Sequence, residues 1–194
     1  MKECQNENGI LCLLNGFHNE LSIDINNENF HETPKRVARA WREMISGEID
    51  TWGQVEKVLN KSFPSDYKGM VIVSDVESFG VCPHHLLTVN YMVNLGYIPS
   101  EKVLGISKLV RIVDILSRRL VLQETLTSDI TKALQMLSPQ GTIVQVYGKH
   151  GCMGCRGVRQ PQVTTMTSDI TGTFTNQGVR DEFSQLVRIN QCVQ

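Results

Sequence analysis

Residues 69–99 read GMVIVSDVESFGVCPHHLLTVNYMVNLGYIP, and the two apolar runs in this segment set the predicted architecture. Residues 69–78 are rich in β-branched side chains and predict a strand. Residues 86–98 predict a second strand, which ends at Pro99. Because the connection between them contains Cys82-Pro83-His84-His85, the sequence predicts neighbouring strands with cysteine and histidine at their junction.

The elements predicted on either side complete this pattern. Apolar residues recur at helical spacing after Pro99, and Pro139-Gln140-Gly141 ends the second helix that they predict. Upstream, Thr33-Pro34 has the hydroxyl and the proline that often begin a helix. The further predictions are helices over 10–14, 33–46, 107–118 and 122–137, strands over 142–147 and 163–174, and a last short helix over 179–187. The order strand, strand, helix, helix, strand, strand is an α+β pattern, with an antiparallel sheet backed by helices.

Length and composition predict one soluble domain. The chain has 194 residues, of which 41% are hydrophobic, enough for one substantial core. Its 19 Lys and Arg balance 20 Asp and Glu, without the basic excess expected of a general nucleic-acid binder. No apolar run reaches the roughly 18 to 20 residues that cross a bilayer, and the N-terminus lacks the pattern of a secretory signal. We therefore predict a single domain over 1–194, with a helical part at about 1–48 and a core at about 65–190, in a cytoplasmic protein that binds neither nucleic acid nor membrane.

Cysteine and histidine cluster in two segments, which predict a metal site. Cys82 and His85 have the Cys-x-x-His spacing that lets one loop present two ligands, and Cys152 lies in the second segment, HGCMGC at 150–155. Three such ligands and one open position are typical of catalytic zinc. Cys155 could instead complete a closed structural site, and on spacing alone both interpretations stay open.

Other polar residues near these segments suit proton transfer and anion binding. His84 and His150 are candidate acids and bases, and in an extended connection His84 and His85 would point in different directions. Ser107 stands at a predicted helix N-terminus, where backbone N–H groups attract anions, and Gln123-Glu124 could read the donor-rich edge of a guanine. The nearby cations are Lys108, Arg111, Arg118, Arg119, Arg156 and Arg159. They fit phosphate binding, although charges on helix faces more often only contact solvent.

Five segments of the chain resemble the GTP cyclohydrolase I family in order and spacing. They are Cys82–Leu87 (CPHHLL), Tyr97–Pro99 (YIP), Val103–Val113 (VLGISKLVRIV), Gln123–Thr127 (QExLT) and His150–Gly157 (HxCMxxRG). The segment TPxRVA at 33–38 is also similar to the N-terminal helix motif of that family. The resemblance therefore spans about residues 30–190.

The resemblance implies a tunnelling fold, in which the ββααββ unit follows N-terminal helices and assembles into a ring-shaped barrel. It also implies a homodecamer of two pentamers, with active sites between subunits. By position in the family motifs, Cys82, His85 and Cys152 would hold Zn²⁺, and His84 and His150 would transfer protons. The implied triphosphate residues are Ser107, Lys108, Arg111 and Arg156, with Arg36 and Arg39 of a neighbouring subunit, and the implied guanine residues are Gln123 and Glu124.

The implied reaction is the hydrolysis of GTP to formate and 7,8-dihydroneopterin triphosphate, in which water attacks C8 while His150 protonates N7. The sequence departs from the family at two positions near the site. Pro83 replaces a common glutamate, and Tyr91 replaces a common glycine. These departures keep two alternatives open: a related purine-nucleotide cyclohydrolase with an altered substrate or product, and a catalytically silent purine-binding protein. The product could serve folate, pterin cofactors or modified guanine derivatives.

Overall fold

The computed structural model describes residues 3–193, and the side chains of residues 9–189 except Phe17. Contacts between residues divide the chain into two compact units, Met1–Ile45 and Ser46–Gln194. Within the described residues, every helix is too short or too polar to span a membrane.

The first unit consists of two helices, α1 (Glu3–Leu21) and α2 (Thr33–Met44), with a 3₁₀ turn at Glu28–Phe30 between them. The helix predicted over 33–46 is confirmed as α2, although its N-cap is Glu32 rather than Thr33. The short helix predicted over 10–14 is wrong in length, because α1 has 19 residues. Leu14 is buried in α1, and the flanking turns are polar and carry no apolar pattern that the sequence could reveal.

The second unit contains the sheet that the sequence predicts. In chain order its elements are α3 Thr51–Leu59, β1 Ser62–Pro64, β2 Val71–Val81, β3 Thr88–Ile98, β4 Lys102–Leu104, α4 Ile106–Ser117, α5 Gln123–Gln135, β5 Gly141–His150, α6 Gly151–Gly154, β6 Thr165–Gly172 and α7 Gln177–Val193. Strands β2, β3, β5 and β6 form an antiparallel sheet in that order, and β1 pairs with β4. The α+β class and the ββααββ order, β2-β3-α4-α5-β5-β6, are confirmed.

Two strands of this sheet run further than predicted. β2 continues to Val81 and β5 continues to His150, beyond the predicted ends at 78 and 147. Gly80 and Gly148 interrupt the side-chain pattern, since glycine has a low strand propensity, but both still pair with β3. The cysteine and histidine segments therefore begin directly at the strand ends.

Besides the four-residue α6, three elements of the second unit do not follow from the sequence pattern, and one helix is longer than expected. β1 and β4 have three residues each, too few to show an alternation, and Gly53 lowers the helix propensity of α3. The last helix, α7, has 17 residues rather than being short. Its buried Phe183 and Val187 anchor a longer run of exposed residues.

The two faces of the sheet bury two separate cores. On β3, Val89, Tyr91, Val93, Leu95 and Tyr97 alternate toward one face, and all five are buried. These side chains pack in one cluster with apolar residues of α4 and α5. On the other face, Phe174 and Phe183 form a smaller cluster near the start of β5.

Strand β2 contains a bulge in the middle of its pairing with β3. Val73 pairs with Leu95 and Val76 pairs with Val93, so β2 has one residue more than its partner over this interval. Asp75 adopts a φ of 57°, and its backbone N–H donates to Asn94 Oδ1 at 2.8 Å. Such a bulge bends and twists the strand that carries it.

Candidate active site

The cysteine and histidine segments meet at one end of the sheet. β2 and β5 both pair antiparallel with β3, so they run parallel to each other and finish at the same end. Cys82 follows β2 directly, and Cys152 lies in α6, directly after β5. A Cβ atom on Gly151 would come within 2.9 Å of the Thr88 carbonyl oxygen, so this glycine lets α6 approach the start of β3 closely.

The connection between β2 and β3 is a tight turn rather than an extended segment. The Leu86 N–H donates to the Cys82 carbonyl and the Cys82 N–H donates to the Leu87 carbonyl, both at 2.9 Å. The rings of His84 and His85 lie 6.2 Å apart at an angle of 81°. The two adjacent imidazoles therefore differ in orientation in a tight turn, so an extended backbone is not needed for this.

Cys82, His85 and Cys152 come together as a candidate metal centre. Their ligand atoms all lie within 4.8 Å of one another, and Cys82 Sγ is 3.8 Å from His85 Nδ1. Zinc–sulfur and zinc–nitrogen bonds of about 2.3 and 2.0 Å at a tetrahedral angle would separate these two atoms by about 3.6 Å. The donor set and its spacing therefore fit a zinc ion with three protein ligands.

The thiol environment also suits a cation. Burial, together with the neighbouring Cys82, raises the pKa of the Cys152 thiol. Two adjacent thiols ionise with difficulty unless a positive charge offsets their repulsion. A metal ion supplies that charge.

Cys155 lies apart from this group. Its side chain is exposed, and its Sγ donates to the Gly151 carbonyl at 3.0 Å. Among the side chains that the structure describes, the metal-ligand group contains only the other three residues. The geometry thus favours an open, three-ligand site over the closed site with Cys155.

Gln123 holds His150 in a defined orientation. The Gln123 amide nitrogen donates to the carbonyls of Val146 and Thr165, each at 3.0 Å. Because these carbonyls can only accept, the amide oxygen of Gln123 must face His150 Nε2, which lies 2.9 Å away. His150 Nε2 therefore carries a proton, and Nδ1 is the ring atom left for proton exchange.

The electrostatic surroundings keep His150 largely neutral. Burial lowers the pKa of its imidazole, and the carboxylate of Glu124 raises that pKa by a smaller amount. Gln123 is buried and Glu124 is exposed, and both lie in the first turn of α5. The side chain of Glu124 is therefore free to meet a ligand, whereas that of Gln123 is engaged within the chain.

A cavity of about 240 Å³ opens beside these groups. The residues that line it are Cys82, Pro83, His84, His85, Val121, Leu122, Gln123, Glu124, His150, Cys152, Met153 and Thr165. The predicted metal, proton-transfer and guanine residues thus share one cavity. Leu122, Met153 and Thr165 were not predicted, because an apolar or hydroxyl lining residue has no sequence signal of its own.

The predicted cations differ in their surroundings. Arg118 pairs with Asp114, and Arg119 pairs with Asp129, each at 2.7 Å. Both arginine side chains are more than half buried by these pairs and their neighbours. They support the fold around the end of α4, so these two arginines are not the solvent-facing charges of the more cautious interpretation.

Ser107, Arg111 and Arg156 are exposed, the first two near the start of α4. Lys108 instead donates to the carbonyl oxygens of Val58 and Lys61 at the end of α3. Burial, with the charges of Lys61 and Arg111, lowers the pKa of Lys108.

Arg36 and Arg39 belong to α2 of the first unit, and both are exposed there. The role that the family resemblance implies for them depends on a neighbouring copy of the chain.

Tyr91 is a further residue near the site whose importance the sequence did not reveal. Its side chain is buried on β3, and its ring lies 6.4 Å from the His150 ring at an angle of 88°. Burial raises the pKa of the Tyr91 hydroxyl, and the charges of Cys82 and Glu124 raise it further. The one sequence signal was that tyrosine stands where a glycine is common.

Comparisons with known proteins agree with the site. The model of the GTP cyclohydrolase I family matches residues 14–188. GTP cyclohydrolase 1 of Streptomyces coelicolor is 41% identical over 167 residues, which cover 84% of this chain and 82% of that protein. GTP cyclohydrolase 1 of Porphyromonas gingivalis is 40% identical over 169 residues, 86% of each chain. Among solved structures, the apo form of the archaeosine synthase QueF-Like matches 53% of this chain and 93% of that chain, with 22% identity and a TM-score of 0.44.

Proposed function

The chain belongs to the GTP cyclohydrolase I family, and we propose that it hydrolyses GTP to formate and 7,8-dihydroneopterin triphosphate. It has the tunnelling fold of that family. The observation that carries the proposal is the convergence of Cys82, His85 and Cys152 beside an oriented His150 in one cavity. A cavity with metal ligands, a neutral imidazole and a carboxylate suits hydrolysis of a purine ring.

We propose zinc as the metal, held by Cys82, His85 and Cys152, because two thiolates and one imidazole are a zinc donor set. When bound, such an ion supplies Lewis-acid activation of water near neutral pH. With three protein ligands the site keeps a position open for water or substrate.

The proton steps fall to the two histidines that line the cavity. His150 would take up a proton on Nδ1 and pass it to N7 of the guanine, since its Nε2 proton is committed to Gln123. His84 is exposed on the turn and is free to exchange protons with solvent during the second hydrolysis. Gln123 acts here through His150, by holding its ring and tautomer.

Recognition of GTP divides between a base-reading group and a phosphate-binding group. The exposed carboxylate of Glu124 can accept from N1–H and the 2-amino group of guanine. Although the resemblance also implies Gln123 for the base, its amide is engaged within the chain, so we propose that it contributes by supporting this edge of the cavity. The proposed triphosphate residues are Ser107, Lys108, Arg111 and Arg156, with Arg36 and Arg39 of a neighbouring copy.

We propose that the active form is a ring assembly, a decamer of two pentamers. The cavity formed by one chain, about 240 Å³, is smaller than the roughly 300–1,000 Å³ usual for small-molecule sites. A neighbouring copy that contributes arginines would enlarge and complete it. Because thiol ligands need a reducing compartment, and the described cysteines Cys12, Cys82, Cys152 and Cys155 are free thiols, we place the enzyme in the cytoplasm.

The test is formate release from GTP by the zinc-loaded protein, compared with two matched cysteine variants. Cys82→Ser should lose metal and lower the rate about 10³-fold or more, because several kcal/mol of activation depend on the metal. Cys155→Ser should keep metal and rate, because Cys155 lies outside the ligand group. Equal rates for Cys82→Ser and the unsubstituted protein would contradict the proposal.

Mass spectrometry of the products from GTP and dGTP separates the alternatives. Formate together with the pterin triphosphate supports the proposed reaction. A ring-opened formamide as the end product would identify a related cyclohydrolase, and nucleotide binding without any product would identify a silent binding protein.

A further inference from the structure

The hydroxyl of Tyr91 is a buried polar group without a partner. The residue is 3% exposed, and its Oη finds no hydrogen-bond partner among the residues that the structure describes. The large majority of buried hydroxyls form a hydrogen bond, because burial without one removes the bond to water and costs free energy. We therefore expect a hydrogen-bond acceptor to be available near this hydroxyl.

Gly80 makes room for the Tyr91 ring on the helix-facing side of the sheet, whereas Gly148 makes room for the Gln123 amide. Gly148 pairs directly with Tyr91 on β5, and Gly80 lies diagonally opposite on β2. A Cβ atom on Gly80 would be 2.9 Å from Tyr91 Cε2, so the ring passes directly over this glycine. Ser78 pairs with Tyr91, so the ring leans from the level of Ser78 toward the end of β2.

Cys82 is the next residue on the same face beyond Gly80. Side chains two apart on a strand share a face at a spacing of about 6.6 Å, roughly the length of a tyrosine side chain. Cys82 and Tyr91 belong to one buried cluster. The Tyr91 ring therefore extends toward the end of β2, directly beyond which Cys82 lies on the same face.

Two ionisable groups act on this hydroxyl. The side chains of Cys82 and Glu124 are both near enough to act on the Tyr91 hydroxyl, which keeps its proton at neutral pH and can donate it to either one. Glu124 is exposed and is solvated by water, whereas Cys82 is buried. A buried thiolate has fewer water molecules to donate to it than the solvated carboxylate of Glu124, so a protein donor stabilises it more.

We propose that the Tyr91 hydroxyl donates a hydrogen bond to the sulfur of Cys82 when Cys82 binds metal as a thiolate. Tyr91 is then a positioning residue of the metal centre. The bond draws charge from the thiolate and fixes the sulfur, as outer partners of metal ligands do. This inference rests on the metal site of the proposed function, but it does not require that GTP is turned over.

The test replaces zinc with Co²⁺, whose thiolate-to-metal charge-transfer absorption reports directly on the ligand sulfur. Tyr91→Phe keeps the ring and removes the donor. The absorption of the variant should move to longer wavelength, because an unbonded thiolate gives up charge more easily. Its metal affinity, measured by competition with a chelator, should fall about 10-fold.

Tyr147→Phe is the matched control. Tyr147 lies on β5 next to Gly148 and therefore on the opposite face of the sheet, where its hydroxyl donates to Gln145 Oε1 at 3.2 Å. This variant should leave both the absorption and the metal affinity unchanged. An unchanged spectrum and affinity in Tyr91→Phe, or an equal shift in Tyr147→Phe, would overturn the inference.

Two further measurements identify the acceptor. The spectral shift caused by Tyr91→Phe should persist in a Glu124→Gln background, and its disappearance there would assign the hydroxyl to Glu124 instead. Should Tyr91→Phe fail to fold, uniform replacement of tyrosine by 3-fluorotyrosine strengthens the donor, and the absorption should then move to shorter wavelength. Without that movement the inference fails.

A cobalt-loaded, unsubstituted protein that lacks thiolate absorption would overturn the metal site and this inference together, whereas thiolate absorption without formate release would overturn the proposed function alone.

Discussion

At the end of the sheet where β5 begins, Phe174 and Phe183 are fully buried, with their rings edge to face at 6.2 Å. At the end where β5 finishes, the buried and half-buried groups include the polar side chains of Cys82, His150 and Tyr91. The same strands run through both ends.

The difference lies in what each end gains from its burial. Apolar side chains at the first end gain by leaving water and by dispersion contacts, which stabilise the folded chain directly. The polar groups at the second end lose hydration and regain it only in part within the chain. The first end should therefore control the free energy of unfolding, and the second should control chemistry.

Metal removal should have the largest effect on formate release, and the structural change that it causes should be confined to the end of the sheet where β5 finishes. Chelation should abolish formate release, and exposure to air should then join Cys82 and Cys152, so that two of the six thiols become unreactive in the unfolded protein. Thiol titration before and after exposure measures this. Cys155→Ser should also lose two thiols, whereas loss of none in the unsubstituted protein would contradict the proximity of the ligands.

Substitution of His150 should follow in size. His150→Ala should lower the rate of formate release about 10²- to 10⁴-fold, the usual contribution of a positioned acid or base. Because the three ligands remain, the zinc content measured by atomic absorption should be unchanged. A parallel loss of zinc would mean that His150 supports the metal site rather than the proton transfer.

Phe183→Ala should affect the stability of the fold rather than the rate of the reaction. Loss of this fully buried ring should lower the free energy of unfolding by about 3–5 kcal/mol, measured by chemical denaturation. The activity per folded molecule should stay within twofold. Leu186→Ala on the same helix is the control, because Leu186 is exposed and its loss should cost about 0.5 kcal/mol or less. Equal losses in the two variants would contradict the assigned core.

Gln123→Leu should give the smallest effect on the reaction, seen in the turnover number, while the loss of its bonds to the Val146 and Thr165 carbonyls should also lower the free energy of unfolding. Without the amide oxygen, His150 Nε2 loses its acceptor, and the ring and tautomer are no longer fixed. We expect about a 10-fold lower kcat with little change in KM, because the ligand-facing Glu124 is intact. Gln123→Glu restores the acceptor and should recover part of the rate. A change in KM alone would instead support direct contact between Gln123 and the base.

The sequence predicted the end that carries chemistry better than it predicted the supporting elements. Cys82, His85 and Cys152 could be expected together because two segments of the chain are dense in cysteine and histidine, and the family resemblance, not the spacing, separated them from Cys155. The sheet order followed from apolar alternation. The ends of β2 and β5 did not, because Gly80 and Gly148 break that alternation and pair through their backbones alone.

Contacts between distant segments could not be predicted in the same way. The bonds of Lys108 to the carbonyls of Val58 and Lys61, for example, depend on α3, which the sequence pattern did not reveal. Likewise, an exposed position for Cys155 and a buried amide for Gln123 depend on packing around α6 and α5.

The bulge in β2 decides which way the metal ligands face. Before it, the odd-numbered Val71 and Val73 pack toward α4 and α5; after it, the even-numbered Val76 and Ser78 do so, and Ser78 bonds Ser117 of α4. Cys82 is also even-numbered and lies on the same helix-facing side of the sheet. With one residue fewer at the bulge, each later side chain of β2 would exchange faces, and Cys82 would lie on the opposite side of the sheet from Cys152. A single inserted residue, seven positions upstream of the first ligand, therefore decides on which face of the sheet the metal ligands lie.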